Sequence, residues 1–175
     1  RRLVSHLGEW LGDADAAQFF PEPDALPYER LASDPVTVHQ RLRLLHIMAS
    51  EKTWLVVAPA AALAHQTIPR SAFAGARHTL QVGMELSPME AIARWQRLGY
   101  HLESAVEVPG TMSRRGGIID IFSPSSDLPV RIELFGNRVE SLRRFDPLSQ
   151  RSLGPVDHAT IVPATELVLP GPGDI

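Results

Sequence analysis

Gly136-Asn137 constrains this chain more than any other feature, because it sits between two runs that alternate in polarity and so dictates a tight β-hairpin of fixed register. The first run is V-R-I-E-L-F and the second is R-V-E-S-L-R-R-F, which predicts strands over 129–135 and 138–145. A two-residue turn puts Phe135 opposite Arg138, Leu134 opposite Val139 and Glu133 opposite Glu140. Alternate side chains of a strand share a face. Ile132, Leu134 and Val139 then form a core face, and Arg131, Phe135, Arg138 and Glu140 form the other. Glu133 and Glu140 would face each other as like charges, which is mildly destabilising unless nearby arginines compensate. An aromatic ring among guanidinium groups on the wet side has the make-up of an interface anchor. The planar fork of arginine suits carboxylate and phosphate partners alike. The residues alone leave a second reading open, in which Phe135 closes the core at a twisted strand end and the arginines form surface ion pairs. Arg114-Arg115-Gly116-Gly117 likewise reads as a solvated turn entering a strand, with both glycines free to take positive φ.

The rest of the chain organises around that hairpin in two parts. Downstream of about residue 77, Thr79 to Val82 reads as a strand. Ser87-Pro88-Met89-Glu90 reads as a capping box that opens a helix ending near Leu98, before Gly99. Met89, Ile92, Ala93 and Leu98 are expected on its buried face. Further strands are expected over 102–108 and 117–122, with Thr160-Ile161-Val162 as the last. The short connections make this sheet mainly antiparallel. Upstream, Leu3, Val4, Leu7 and Leu11 give a helix over 3–11, and Ala16 to Phe20 a strand. P-D-A-L-P-Y-E-R-L (23–31) falls in a loop, and Asp34-Pro35 then caps and starts a second helix. Val38, Leu42, Leu45 and Met48 form its apolar stripe, with His39, Arg41 and Arg43 off it. The continuous apolar run Trp54 to Ala58 suits a strand buried on both faces, as in parallel sheets, and a short helix follows over Ala60 to Gln66. The expected fold class is α/β: a partial doubly wound layer over 1–76, then a small α+β domain over 77–160 with a mainly antiparallel sheet and one helix. Residues 161–175 are expected to form a return strand and an exit linker. A first residue that is Arg, and a Leu-Pro-Gly-Pro-Gly stretch at 169–173, mark the chain as a piece of something longer.

Composition narrows the chemistry. The 175 residues are 44% hydrophobic and 21% charged, an ordinary globular balance. A net charge of −3 and a pI near 6.2 lack the bulk basic excess of a stand-alone nucleic-acid binder, so any basic site is local. There is no cysteine, which removes disulfides, thiolate nucleophiles and cysteine zinc sites. No G-x-x-x-x-G-K-[ST], G-x-G-x-x-G, G-x-S-x-G or H-E-x-x-H occurs, and Lys52, the sole lysine, lies in a helix-to-strand turn. The seven histidines are scattered. We therefore expect no catalytic residue, no metal site and no cofactor in this chain. No apolar run approaches the roughly 20 residues of a membrane span, and the start lacks the features of a signal peptide, so no membrane role and a cytoplasmic location are expected.

At R-G-G-I-I-D-I-F and P-V-R-I-E-L-F-G-N-R-V-E-S-L-R-R-F-D-P-L-S-Q-R the chain resembles the pattern shared by UvrB and the bacterial transcription-repair coupling factors. P-D-A-L-P-Y-E-R-L (23–31), R-L-R-L-L (41–45), V-V-A-P (56–59) and L-G-Y-H (98–101) look like the coupling factors rather than UvrB. The resemblance covers about residues 17–166. It implies a non-catalytic fragment: residues 1–76 as the later part of a RecA-like domain 1a that has lost its ATP site, 77–160 as the UvrA-binding domain 2, and 161–175 leading into domain 1b. It implies UvrA as partner, with Arg115, Arg131 and Phe135 as contacts and Arg114, Arg138 and Glu140 at the periphery. Other partners implied are further domains of the parent chain, and for the parent also RNA polymerase and double-stranded DNA. ATP and magnesium would belong to the parent, an ATP-dependent DNA translocase. Where relatives often carry two aromatics, this chain has Leu134-Phe135. Residues 59–78 are too few to hold the damage-probing hairpin of UvrB. The alternative function is a DNA-binding module using Arg114, Arg115, Arg143, Arg144 and Arg151.

Overall fold

The computed structural model describes residues 2–14, 16–23, 34–49 and 55–166. The loop over 24–33, Lys52, Trp54 and the closing linker therefore lie outside the described residues. The chain divides into two units between Thr67 and Ile68, some residues before the change of character expected near 77. The reason is helix α4, Arg70–Ala76: Ala76 packs against the second unit's core, and the Arg77 carbonyl that follows accepts a hydrogen bond from Arg94 at 3.0 Å.

The first unit contains α1 (Arg2–Leu11), β1 (Ala17–Phe19), α2 (Pro35–Met48), β2 (Leu55–Val57) and α3 (Ala60–Ala64). β1 and β2 pair in parallel, Ala17 with Leu55, but Leu55 is exposed and Val56 and Val57 are only half-buried, so β2 is not buried on both faces as the apolar run suggested. Asp34 caps α2 by accepting from the backbone N–H groups of Val36 and Thr37 at 3.2 and 3.3 Å, with Pro35 opening the first turn. The expected stripe of α2 is displaced. Met48 is exposed, and the buried residues are Arg41, Leu42 and Leu44. Arg41 goes inward because its guanidinium stacks on the Phe20 ring, 4.2 Å from the centroid, and donates to the Pro21 carbonyl at 2.7 Å. Long aliphatic stems allow such burial when the head is satisfied.

In the second unit, β3 (His78–Gln81) pairs antiparallel with β10 (His158–Ile161). The main sheet runs β4 (His101–Leu102), β5 (Thr111–Arg115), β6 (Ile118–Ile121), β7 (Val130–Phe135), β8 (Arg138–Phe145) and β9 (Ser152–Pro155), in that spatial order. All pairings are antiparallel except β4 with β5. Helix α5 (Pro88–Arg97) packs on one face, where Trp95 is fully buried among Leu80, Met112, Ile119, Ile132, Val139, Leu142 and Ile161. The helix turns differently from the expectation: Ala91, Ile92, Trp95 and Leu98 face the core, while Met89 and Ala93 are exposed. The capping box does not form, because the Ser87 side chain makes no cap hydrogen bond; Pro88, with its preset φ, starts the helix. Gly99, at φ +92°, ends it.

Two strands differ from the sequence reading. The expected strand 102–108 stops after Leu102, and the chain runs on through Val106 to Gly110. Val106 forms a small cluster with Phe122 and Phe145. The strand instead lies at Thr111–Arg115, whose polar sequence gave no alternating signal although Thr111, Met112 and Ser113 are buried. The edge strand β9 was also not expected. Among the described residues, no helix is long and apolar enough to cross a membrane.

Candidate protein-docking site

The hairpin pairs Phe135 with Arg138 and Leu134 with Val139, as the turn requires. A bulge then intervenes, so Glu133 faces Ser141 and not Glu140. This corrects the expected pairing of like charges. The extra residue carries Glu140 out to solvent, and the Ser141 hydroxyl donates to the Glu133 carboxylate. Beyond the bulge Arg131 faces Arg143, which approaches Glu133 at 3.9 Å.

β5 and β6 form a second hairpin through Gly116-Gly117, with Arg115 opposite Ile118. Arg115 is thus a strand end and not part of a solvated turn. The two glycines do different work. Gly116 takes φ +62°. Gly117 is required by space, since a Cβ there would meet the Leu134 carbonyl oxygen at 2.8 Å. Its own carbonyl accepts from Leu134 N–H at 2.8 Å, so this turn is held beside the strand end that carries Phe135.

The site's centre is a residue the sequence reading passed over. Asp120 lies on β6 opposite Arg131 on one side and Ser113 on the other, with its side chain 1% exposed. Both of its oxygens are engaged. Arg131 Nε donates to Oδ1 at 2.8 Å and Arg131 Nη2 to Oδ2 at 2.9 Å, a bidentate pair. Arg115 Nη2 donates to Oδ2 at 3.1 Å. One buried carboxylate therefore holds both guanidinium groups. A lone aspartate inside the apolar run I-I-D-I-F was the available signal, since a buried carboxylate needs cationic partners.

Arg131 itself is 16% exposed. Its guanidinium lies 4.7 Å from the Phe145 ring centroid, and Nη1 reaches the Gln150 carbonyl at 3.4 Å. The hydrogen bond to Asp120 raises its pKa further above the ordinary arginine value, and burial offsets this in part. Gln150 has φ +60°, uncommon for a residue with a side chain, and its amide donates to the carbonyls of Pro147 and Val106. This corner was likewise not foreseen. Asp146 closes it by accepting from Ser149 N–H at 2.6 Å, which holds the Asp146 carboxyl below its usual range.

The remaining residues sort by position. Phe135 is 81% exposed, so it does not close the core. Arg138 and Glu140 are exposed near it. Arg114, by alternation, turns away from Arg115; it donates to Met89 Sδ at 2.9 Å and to the Gly116 carbonyl. Arg143, Arg144 and Arg151 are exposed, and Arg143 leans towards Glu133. Among the described residues no group of three or more metal-ligating side chains occurs.

A family model described as "UvrB interaction domain" matches residues 79–167. Transcription-repair-coupling factors are similar over most of the chain. That of Myxococcus xanthus is 35% identical over 150 residues, covering 85% of this chain and 12% of that protein. That of Bacillus subtilis (strain 168) is 34% identical over 150 residues, covering 86% and 13%. That of Staphylococcus aureus (strain MSSA476) is 32% identical over 157 residues, covering 90% and 13%. The chain thus spans about an eighth of the length of these relatives. The matched family takes in just over half of the chain, including the whole sheet that carries Arg115, Asp120, Arg131 and Phe135, and the chain belongs to the UvrB interaction domain family.

Proposed function

We propose that this chain is a non-catalytic docking module for UvrA within a transcription-repair coupling factor. In this reading the first unit is the later part of a RecA-like domain 1a, and the second is a UvrB-type domain 2. The parent protein is an ATP-dependent DNA translocase that recruits excision repair to stalled RNA polymerase, and nucleotide and magnesium bind outside this chain. Arg115, Arg131 and Phe135 form the docking group. The observation that carries the reading is the exposure of Phe135 beside the turn that follows Arg115, with Arg115 and Arg131 anchored on one aspartate. Aromatic and arginine side chains are enriched among the residues that carry most of an interface's binding energy.

The test is the affinity of the chain for the UvrA of its source organism. Arg115→Ala and Phe135→Ala should each weaken binding by about 1–3 kcal/mol. Affinity unchanged by both substitutions rejects the proposal. Retention of duplex DNA that falls steeply with added salt, with no UvrA binding, favours the arginines as phosphate contacts instead.

A further inference from the structure

The three residues of the docking group differ in how much of each remains to offer a partner. Arg131 has Nε and Nη2 on Asp120, Nη1 on the Gln150 carbonyl, and one flat face over Phe145, within hydrogen-bonding reach at every nitrogen. Little of it reaches solvent. Arg115, by contrast, donates through Nη2 alone to Asp120, at 3.1 Å, and its side chain is 59% exposed. The remaining nitrogens of its fork are directed by that single tether.

We propose that Asp120 and Arg131 are positioning residues: a buried bidentate strut that fixes the Arg115 guanidinium, so that Arg115 and Phe135 make the contact. This rests on the docking reading above. Such tethering matters because a free arginine loses rotamer freedom on binding, and a guanidinium already held loses less. Asp120 also offsets one of the two clustered positive charges. The partner that fits the exposed remainder has a carboxylate for the Arg115 fork and an apolar pocket for Phe135.

The test compares the affinity for UvrA of the whole chain and of its variants Arg115→Ala, Asp120→Asn, Phe135→Ala, and Asp120→Asn combined with each of the other two. Asp120→Asn keeps the side chain's size and removes the charge that gathers the arginines. It should weaken binding by about tenfold, as one anchor's share. Joined to Arg115→Ala it should add little, because both act on the same contact. Joined to Phe135→Ala the two losses should multiply, because the contacts are separate. Thermal unfolding of each variant identifies losses due to misfolding. The unaltered chain supplies an independent readout, the nitrogen NMR signals of the arginine side chains. Arg115 should show guanidinium rotation slowed towards that of Arg131. Wild-type affinity in Asp120→Asn, multiplied losses with Arg115→Ala, or freely rotating Arg115 in the unaltered chain each overturns the positioning role while leaving UvrA docking intact. Absence of UvrA binding by the unaltered chain overturns both.

Discussion

Two arginines, one in each unit, are packed against an aromatic ring by the same device and put to different ends. Arg41 lies over Phe20 at 4.2 Å and finishes on the Pro21 carbonyl. Arg131 lies over Phe145 at 4.7 Å and finishes on the Asp120 carboxylate. In both, an aromatic face replaces part of the lost hydration and a hydrogen bond satisfies the head. The difference is in what lies beyond the stack. Arg41 donates to a backbone carbonyl, and its stacking on Phe20 stays inside the first unit. A carboxylate gives Arg131 a charged end point with lone pairs to spare, and one of them reaches out to exposed Arg115. The same stacked guanidinium is thus a core residue in one unit and the inner end of a surface site in the other.

The comparison is most sharply tested by deletion in the first unit. Arg41→Ala leaves the Phe20 ring uncovered and takes the donor from the Pro21 carbonyl. The expected loss is on the order of 3 kcal/mol, since a buried acceptor is orphaned and a cavity opens. Hydrogen exchange of the α2 amides reads this directly, and UvrA affinity should stay unchanged. Protection in α2 that matches the unaltered chain would show that Arg41 is a bystander and that the likeness to Arg131 is one of geometry alone.

A smaller, paired test removes the ring and keeps the apolar volume. Phe20→Leu and Phe145→Leu should each destabilise their own unit by about 1–2 kcal/mol, from lost stacking and imperfect refilling. Only Phe145→Leu should also weaken UvrA docking, because only there does the stacked arginine lead to the surface. Equal effects of the two on docking would erase the distinction between the units.

The hairpin shows what could be read from sequence and what could not. The turn at Gly136-Asn137, the inward Ile132 and Val139 and the outward Phe135 all follow from local rules: a two-residue turn fixes register, and alternation fixes faces. The bulge at Glu133/Leu134 does not follow from them, because a strict period-two reading has no place for the extra Glu140. β5 was missed because Thr111 and Ser113 are polar yet buried, so alternation carried no contrast. Arg41 and Asp120 were missed for a common reason. A buried charge is explained by its partners, and Phe20, Pro21 and Arg131 stand 11 to 21 positions away in sequence. The UvrA reading came from resemblance, while the exposure of Phe135 and the sharing of Asp120 are matters of geometry.

The smallest expected effect comes from half-buried His78, whose ordinary pKa lies near neutrality and which has no anionic partner among the described residues. Its ring lies 5.9 Å from Trp95, and its Nδ1 is buried without a hydrogen bond. Burial, and then the positive charge of Arg94, lower its pKa below 6.5. Asp120 acts on Arg131 in the opposite sense. Because folded His78 holds its proton less tightly than unfolded His78, stability is fully present above about 6.5. It declines as pH falls from there towards the folded-state pKa, and is level below that. Hydrogen exchange of the paired strands β3 and β10 should therefore lose protection over that acidic window, and His78→Phe, which keeps a ring against Trp95, should flatten the loss. An equal acid sensitivity in His78→Phe would place the titrating group elsewhere and separate it from the contrast with Arg131, whose charge is held by a carboxylate.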